Sequence, residues 1–167
     1  MGELFRKLMF IMTSIFILFA LIGCQERIVH EKIPITKEGE KVIETYLNDK
    51  VMRSNFGGPI FSEFEILDTD KTSGKIYIWA LIEQCFKDGT EIAVGSGMSV
   101  PLVLKVKHEQ NSFTITSHSI PRDGADYTND VKKMFPENIH DKIFEYPSKH
   151  IDQLQKQLKI KAKEKLG

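Results

Sequence analysis

Gly95-Ser96-Gly97 sets a hydroxyl between two glycines, residue types that could hold a serine in a tight turn as a nucleophile. That chemistry wants Gly-x-Ser-x-Gly between a strand and a helix, whereas strand-like residues lie on both sides here, so a bulge or sheet bend is the expected use of the glycines. No Gly-Lys-Ser or Gly-Lys-Thr follows, which removes the phosphate-loop reading. Glu137 and His140 stand three apart on a short predicted helix and could face one ion, with His150 farther along. Structural zinc takes about four ligands in tight spacing, so no metal and no cofactor is expected. His118, between Ser117 and Ser119, reads as a strand surface residue rather than a base. The run Arg122-Asp123-Gly124-Ala125-Asp126-Tyr127 gathers charge and a hydroxyl where strands give way to helices, a place where loops often carry function. Arg122, Asp123, Asp126 and Tyr127 are therefore the candidate polar loop; the competing and favoured reading is a plain turn in which the two aspartates bond the local backbone. Glu83 and Gln84 interrupt an apolar strand. They could line a pocket between sheet and helix, but a position at the strand's end, near the Asp88-Gly89 turn, is favoured. None of these sets completes a catalytic constellation.

The remaining reactive group is the sulfur of Cys24, and what precedes it is specific. Met1 to Gly23 carries the basic pair Arg6-Lys7, an apolar core from Leu8 to Ile22 and a small residue just before the cysteine, which are the parts of a signal peptide. The core is shorter than the roughly 20 apolar residues of a spanning helix and contains Thr13 and Ser14. Leu21-Ile22-Gly23-Cys24, with an aliphatic residue three before the cysteine and glycine directly before it, resembles the lipobox of bacterial lipoproteins. The resemblance implies cleavage between Gly23 and Cys24, a thioether-linked diacylglycerol on Cys24, and Cys24 as the mature N-terminus. The competing reading is ordinary secretory cleavage with Cys24 as a disulfide partner. Two acyl chains anchor where one does not, so the implied partner is membrane lipid and the implied address the outer face of the cytoplasmic membrane. The lysine-rich composition fits a host with a single membrane better than one with two.

Charge and cysteine count narrow the classes further. The chain has 23 basic and 23 acidic residues; loss of Arg6, Lys7 and Glu3 with residues 1–23 leaves a formal charge of −1. No nucleic acid partner is expected of such a balance. Cys24 and Cys85 are the only cysteines, so lipidation of the first leaves the second without an intramolecular partner, and no disulfide framework exists. Cys85, in an apolar strand pattern, reads as a small buried hydrophobe.

The elements that must position these groups follow in order. Residues 24–35 read as a tether. Val42, Ile43, Tyr46, Leu47 and Val51 recur at helical spacing behind Thr36 as N-cap, with Glu38 and Glu40 in the first turn. Phe56-Gly57-Gly58-Pro59 ends that helix. Four strands are predicted next: Ile60–Asp68, Lys75–Phe86, Glu91–His108 and Phe113–Ile120, joined by turns at Asp70–Gly74, Lys87–Thr90 and Glu109–Ser112. In the second, Ile76, Ile78, Ala80 and Ile82 share one face and Tyr77, Trp79, Leu81 and Cys85 the other, the mark of a strand covered twice. The third is too long for one straight strand and is expected to break at Gly95–Gly97 and Pro101. In the fourth, Thr114, Thr116 and His118 should face solvent. One or two helical turns over Asp130–Phe135, a helix opened by Pro136 and a last helix after Pro147-Ser148 complete the chain. That last helix carries the stripe Ile151, Leu154, Leu158, Ala162 and a crowd of lysines, read as a solvated face in preference to a membrane-facing one.

One helix followed by four antiparallel strands resembles, in element order, the cystatin-like and NTF2-like folds, in which a bent sheet wraps a helix. The expected fold is therefore one α+β domain over 36–167, with the C-terminal helices on the sheet's second face. The expected function is a membrane-anchored, non-catalytic module that binds an envelope protein partner or a small ligand. Two alternatives stand beside it: an NTF2-like enzyme or ligand binder with a pocket lined by Trp79, Glu83 and His118, and a protease inhibitor or immunity-type protein acting through its hairpin loops.

Overall fold

The computed structural model describes residues 31–54, 57–109 and 112–167; the lipobox lies outside the described residues. The domain is α+β, with a helix before a four-stranded antiparallel sheet and helices after it. Helix α1, Lys37–Tyr46, begins as its sequence directs: Thr36 Oγ1 accepts from the Gly39 N–H at 3.2 Å, and Glu38 and Glu40 fill the first turn. A π-turn over Leu47–Val51 finishes it. Strands β1 (Ile60–Asp70), β2 (Lys75–Asp88), β3 (Glu91–Glu109) and β4 (Ser112–Ser119) follow in sequential sheet order, so β1 and β4 are the edges. Then come α2 (Tyr127–Met134), α3 (His140–Phe144) and α4 (Ser148–Leu166).

The two-faced pattern of β2 decides the architecture. Ile76, Ile78, Ala80 and Ile82 are fully buried with Ile43 and Leu47 beneath α1. Tyr77 and Trp79, on the other face, pack with Val131, Phe135, Ile139 and Ile143, while Leu81 and Cys85 pack with Leu158 and Ala162 of α4. The sheet is thus the middle of three layers, with α1 on one side and the C-terminal helices on the other. Helix α1 reaches both edge strands, so the sheet curves around it.

Each strand pair carries one bulge, and these bulges reset which residues face which layer. Leu67 is the extra residue in β1, Gly95 in β3 and Thr116 in β4. The Gly95 bulge lets β3 run as one strand of 19 residues through Pro101 instead of breaking. The Thr116 bulge corrects the expected solvent face of β4. Thr114 and Thr116 are exposed, but beyond the bulge the alternation inverts, and His118 pairs with Leu104 on the α1 side.

Residues 31–35 contain no helix or strand, yet Ile33 is only 3% exposed, its N–H donates to Thr69 Oγ1 at 2.9 Å, and the Lys71 N–H donates to the Glu31 carbonyl at 2.8 Å. The chain therefore enters the domain at the β1–β2 hairpin. That hairpin turns on Gly74, whose φ is +62° and whose Cβ, if it had one, would lie 2.7 Å from the Val106 carbonyl oxygen. Gly74→Ala meets both a left-handed backbone and a backbone clash, and is expected to lower stability by about 2 kcal/mol in denaturant titration.

Candidate functional site

The most connected polar cluster lies on the outer face of the sheet, and its centre is Glu65 of β1. Lys142 of α3 donates to Oε1 at 2.6 Å; the Tyr146 hydroxyl donates to Oε2 at 2.6 Å, and His150 Nδ1 lies 2.8 Å from the same oxygen. Tyr146 stacks flat on Trp79, with centroids 3.9 Å apart and planes 1° from parallel, while His150 meets it edge-on. The Trp79 indole N–H donates to Ser99 Oγ on β3 at 2.9 Å. Burial pushes the Glu65 carboxyl up, but the bonds from Lys142, Tyr146 and His150 outweigh it and hold the group at about 2. The same burial, with the carboxylate beside it, drives the Tyr146 hydroxyl up. Glu65 is thus a fixed anion that ties β1, α3 and the start of α4 to the β2–β3 surface.

The remainder of α4 is held in the same way. Lys161 Nζ lies 2.6 Å from Glu63 and 2.9 Å from Glu44, and also donates to the Ser62 carbonyl, so one ammonium joins α4 to β1 and to α1. Burial lowers its pKa, and the two carboxylates more than restore it. Lys165 lies 5.8 Å from the centre of the Phe61 ring, and Lys87 donates to the Gly167 carbonyl. Several cations expected to crowd a solvated helix face therefore serve contacts within the domain. The apolar stripe is as expected, with Leu158 and Ala162 fully buried.

Sequence reasoning missed the Glu65 cluster. Glu65 lies 77 to 85 positions from its three partners along the chain, and those partners come from α3, from the connection after it and from α4, so no single helical period marks them as a set.

The candidates singled out from sequence divide differently in space. Arg122 forms a two-point pair with Asp130, Nε to Oδ2 and Nη2 to Oδ1 both at 2.8 Å, and Nη1 meets Asp126 at 2.8 Å. The guanidinium holds the Asp130 carboxyl well below the usual carboxylate range. Asp126 thus pairs with a side chain instead of the local backbone, and Asp130 supplies the anchoring carboxylate. Tyr127 begins α2 and packs edge-on against Phe144, leaving Asp123 exposed at the loop. The four residues form a closing ion cluster and a packing residue, with no convergent site among them.

Ser96 flanks the β3 bulge as expected and donates to the Gln84 amide oxygen at 3.2 Å. Glu83 and Gln84 overturn the strand-end reading, because β2 runs on to Asp88 and both side chains are buried, Gln84 fully. Gln84 Nε2 donates to Ser54 Oγ at 2.5 Å and to the Gly58 carbonyl at 3.2 Å, pinning the segment between α1 and β1. Glu83 faces α4. Burial raises its pKa, against the pull of Lys159 and a bond from Gln155, and its Oε2 has no hydrogen-bond partner among the described residues. Cys85 is fully buried, and burial, then the Glu83 charge, push its thiol up to about 11, the state of an inert cysteine.

His118 Nδ1 lies 3.1 Å from the Tyr46 hydroxyl on the α1 side, and burial lowers its pKa. Trp79 and Glu83 face α3 and α4 on the opposite side of the sheet, so the three residues proposed to line one pocket do not converge. His140 Nε2 is spent on the Phe135 carbonyl at 2.9 Å and His150 on Glu65. Among the described residues no group of three or more His, Cys, Asp or Glu side chains could hold a metal. A cavity of about 540 Å³ is an open groove between α1 and edge strand β4, lined in part by Val42, Tyr46 and Ile115. Comparison with protein-family models, with curated proteins and with solved structures found no match to this chain.

Proposed function

We propose that this chain is a lipid-anchored binding module on the outer face of a bacterial cytoplasmic membrane, engaging an envelope partner while two acyl chains on Cys24 hold it at the bilayer. The observation that carries the reading is Leu21-Ile22-Gly23-Cys24 at the end of a signal-peptide core. The domain supports a binding role in one respect: its best-defined titratable groups, Glu65, Lys161, Arg122 and Asp130, are engaged by one another and by neighbouring elements. Groups so engaged make a rigid scaffold for contacts on its surface. The entry of the chain at Glu31 leaves only residues 25–30 between the lipidated cysteine and the domain. At about 3.3–3.6 Å per residue, the domain's anchored end stays within about 25 Å of the lipid.

Cys24→Ala, expressed in a host that processes lipoproteins, tests the anchor. The expected result is loss of metabolic labelling by fatty acid and accumulation of the unprocessed precursor, with the apolar core uncleaved. Wild-type processing together with unchanged fatty-acid labelling of the variant would refute lipidation at Cys24.

A further inference from the structure

The end of the sheet through which the chain enters also carries an unusual row of side chains. Lys75 of β2 pairs directly with Lys105 of β3, and Lys105 pairs in turn with Ser117 of β4. Residues opposite each other share a face, so two like-charged side chains leave the sheet as cross-strand neighbours, a pairing that is unfavourable without an anion. Lys133 from the last turn of α2 joins them, and with Ser117 and Ser119 these lysines line a cavity of about 220 Å³ that has no acidic residue in its wall. The nearest acids are otherwise employed. Asp70, opposite Lys75 at the end of the row, accepts from the Thr72 and Ser73 N–H groups and the Ser73 hydroxyl, while Asp130, below Lys133, holds Arg122. Asp130 also feels the charge of Lys133, so the row has acids at its margins, and the cavity wall itself carries the three lysines and the two serines.

We infer that Lys75, Lys105 and Lys133, with the hydroxyls of Ser117 and Ser119, form a binding site for a phosphate group at the membrane-proximal end of the domain. A phosphate brings several acceptor oxygens to lysine and serine donors and sets negative charge against the three ammonium groups of the cavity wall. Its size suits a cavity that is small and open at the surface. Lys75 follows Gly74 directly, in the hairpin whose Lys71 holds Glu31, so the site shares an end with the tether. The ligand closest at hand is therefore the headgroup phosphate of an anionic phospholipid, and this choice of source rests on anchoring through Cys24. The membrane-facing charge would lie here, and not on the lysine-rich α4.

Competitive lysine acetylation, read by mass spectrometry on the full chain in uncharged detergent micelles, tests the site. Micelles doped with phosphatidylglycerol, micelles in inorganic phosphate, and micelles in chloride at the same ionic strength form the three arms. Expected is a slowing of about fivefold at Lys75, Lys105 and Lys133 together, relative to chloride, with Lys149 and Lys156 unchanged. Slowing by the lipid alone names the headgroup as source; slowing by inorganic phosphate at equal phosphate concentration names free phosphate. Lys105→Gln, and separately Lys133→Gln, should abolish the slowing at the other two lysines. No slowing in either phosphate arm, or equal slowing of all lysines, overturns the site. Acetylation reports the site whether or not Cys24 is lipidated, so failure here and failure of the anchor are read separately.

Discussion

Trp79→Ala is expected to destabilise the domain by about 3–5 kcal/mol, the range for deleting a buried tryptophan from a packed layer. Trp79 is 8% exposed, stacks flat on Tyr146 and donates to Ser99. Its loss removes the apolar platform under the end of α3 and leaves the Ser99 hydroxyl without its indole donor. Trp79→Phe keeps a ring beneath Tyr146 and gives up the hydrogen bond, so a smaller loss of about 1–2 kcal/mol is expected. Denaturant unfolding monitored by far-UV circular dichroism distinguishes the two. A loss below 1 kcal/mol for the alanine variant would show that the C-terminal helices do not depend on this stack.

The second large effect belongs to Glu65 and is visible as a pH dependence. The folded carboxyl is held at about 2, below its ordinary value of 4.5. A depressed carboxylate adds stability that is present above the unfolded pKa and disappears as pH falls through the folded one. The window is therefore pH 4.5 down to about 2. With allowance for the part of Glu65 that meets solvent, the contribution is of order 2 kcal/mol. Asp68 and Asp130 are depressed too, so the acid limb of the wild type sums several groups. The difference between wild type and Glu65→Gln isolates this one: the variant should be less stable at pH 7 and converge on the wild type near pH 2. Parallel acid limbs, with a constant offset across that window, would show that the Glu65 charge contributes nothing.

What the sequence made legible is what depends on short-range pattern. The Thr36 cap is closed within three residues, and the two apolar faces of β2 and the stripe of α4 follow the period of a single element, so each is where the local pattern puts it. His118 was misplaced because a single bulged residue, Thr116, inverts the alternation beyond it, and nothing in Thr-Ile-Thr-Ser-His announces a bulge without its partner strand. Gly95 did announce one, because glycine in a strand needs a reason. The Glu65 cluster was hidden because its charges come from elements far apart in the chain. Gln84 and Glu83 misled for a related reason: a polar residue in an apolar run is read as an end, unless the groups that satisfy it, here Ser54, Gly58 and Gln155, can be seen.

Of all these features, the one on which place and role depend is the modification of Cys24, and intact mass spectrometry of the membrane-extracted protein reads it directly. The expected species lacks residues 1–23, begins at Cys24 and carries a diacylglycerol on its sulfur. A protein that retains the apolar leader, or one cleaved there with an unmodified Cys24 thiol, would contradict the lipid anchor.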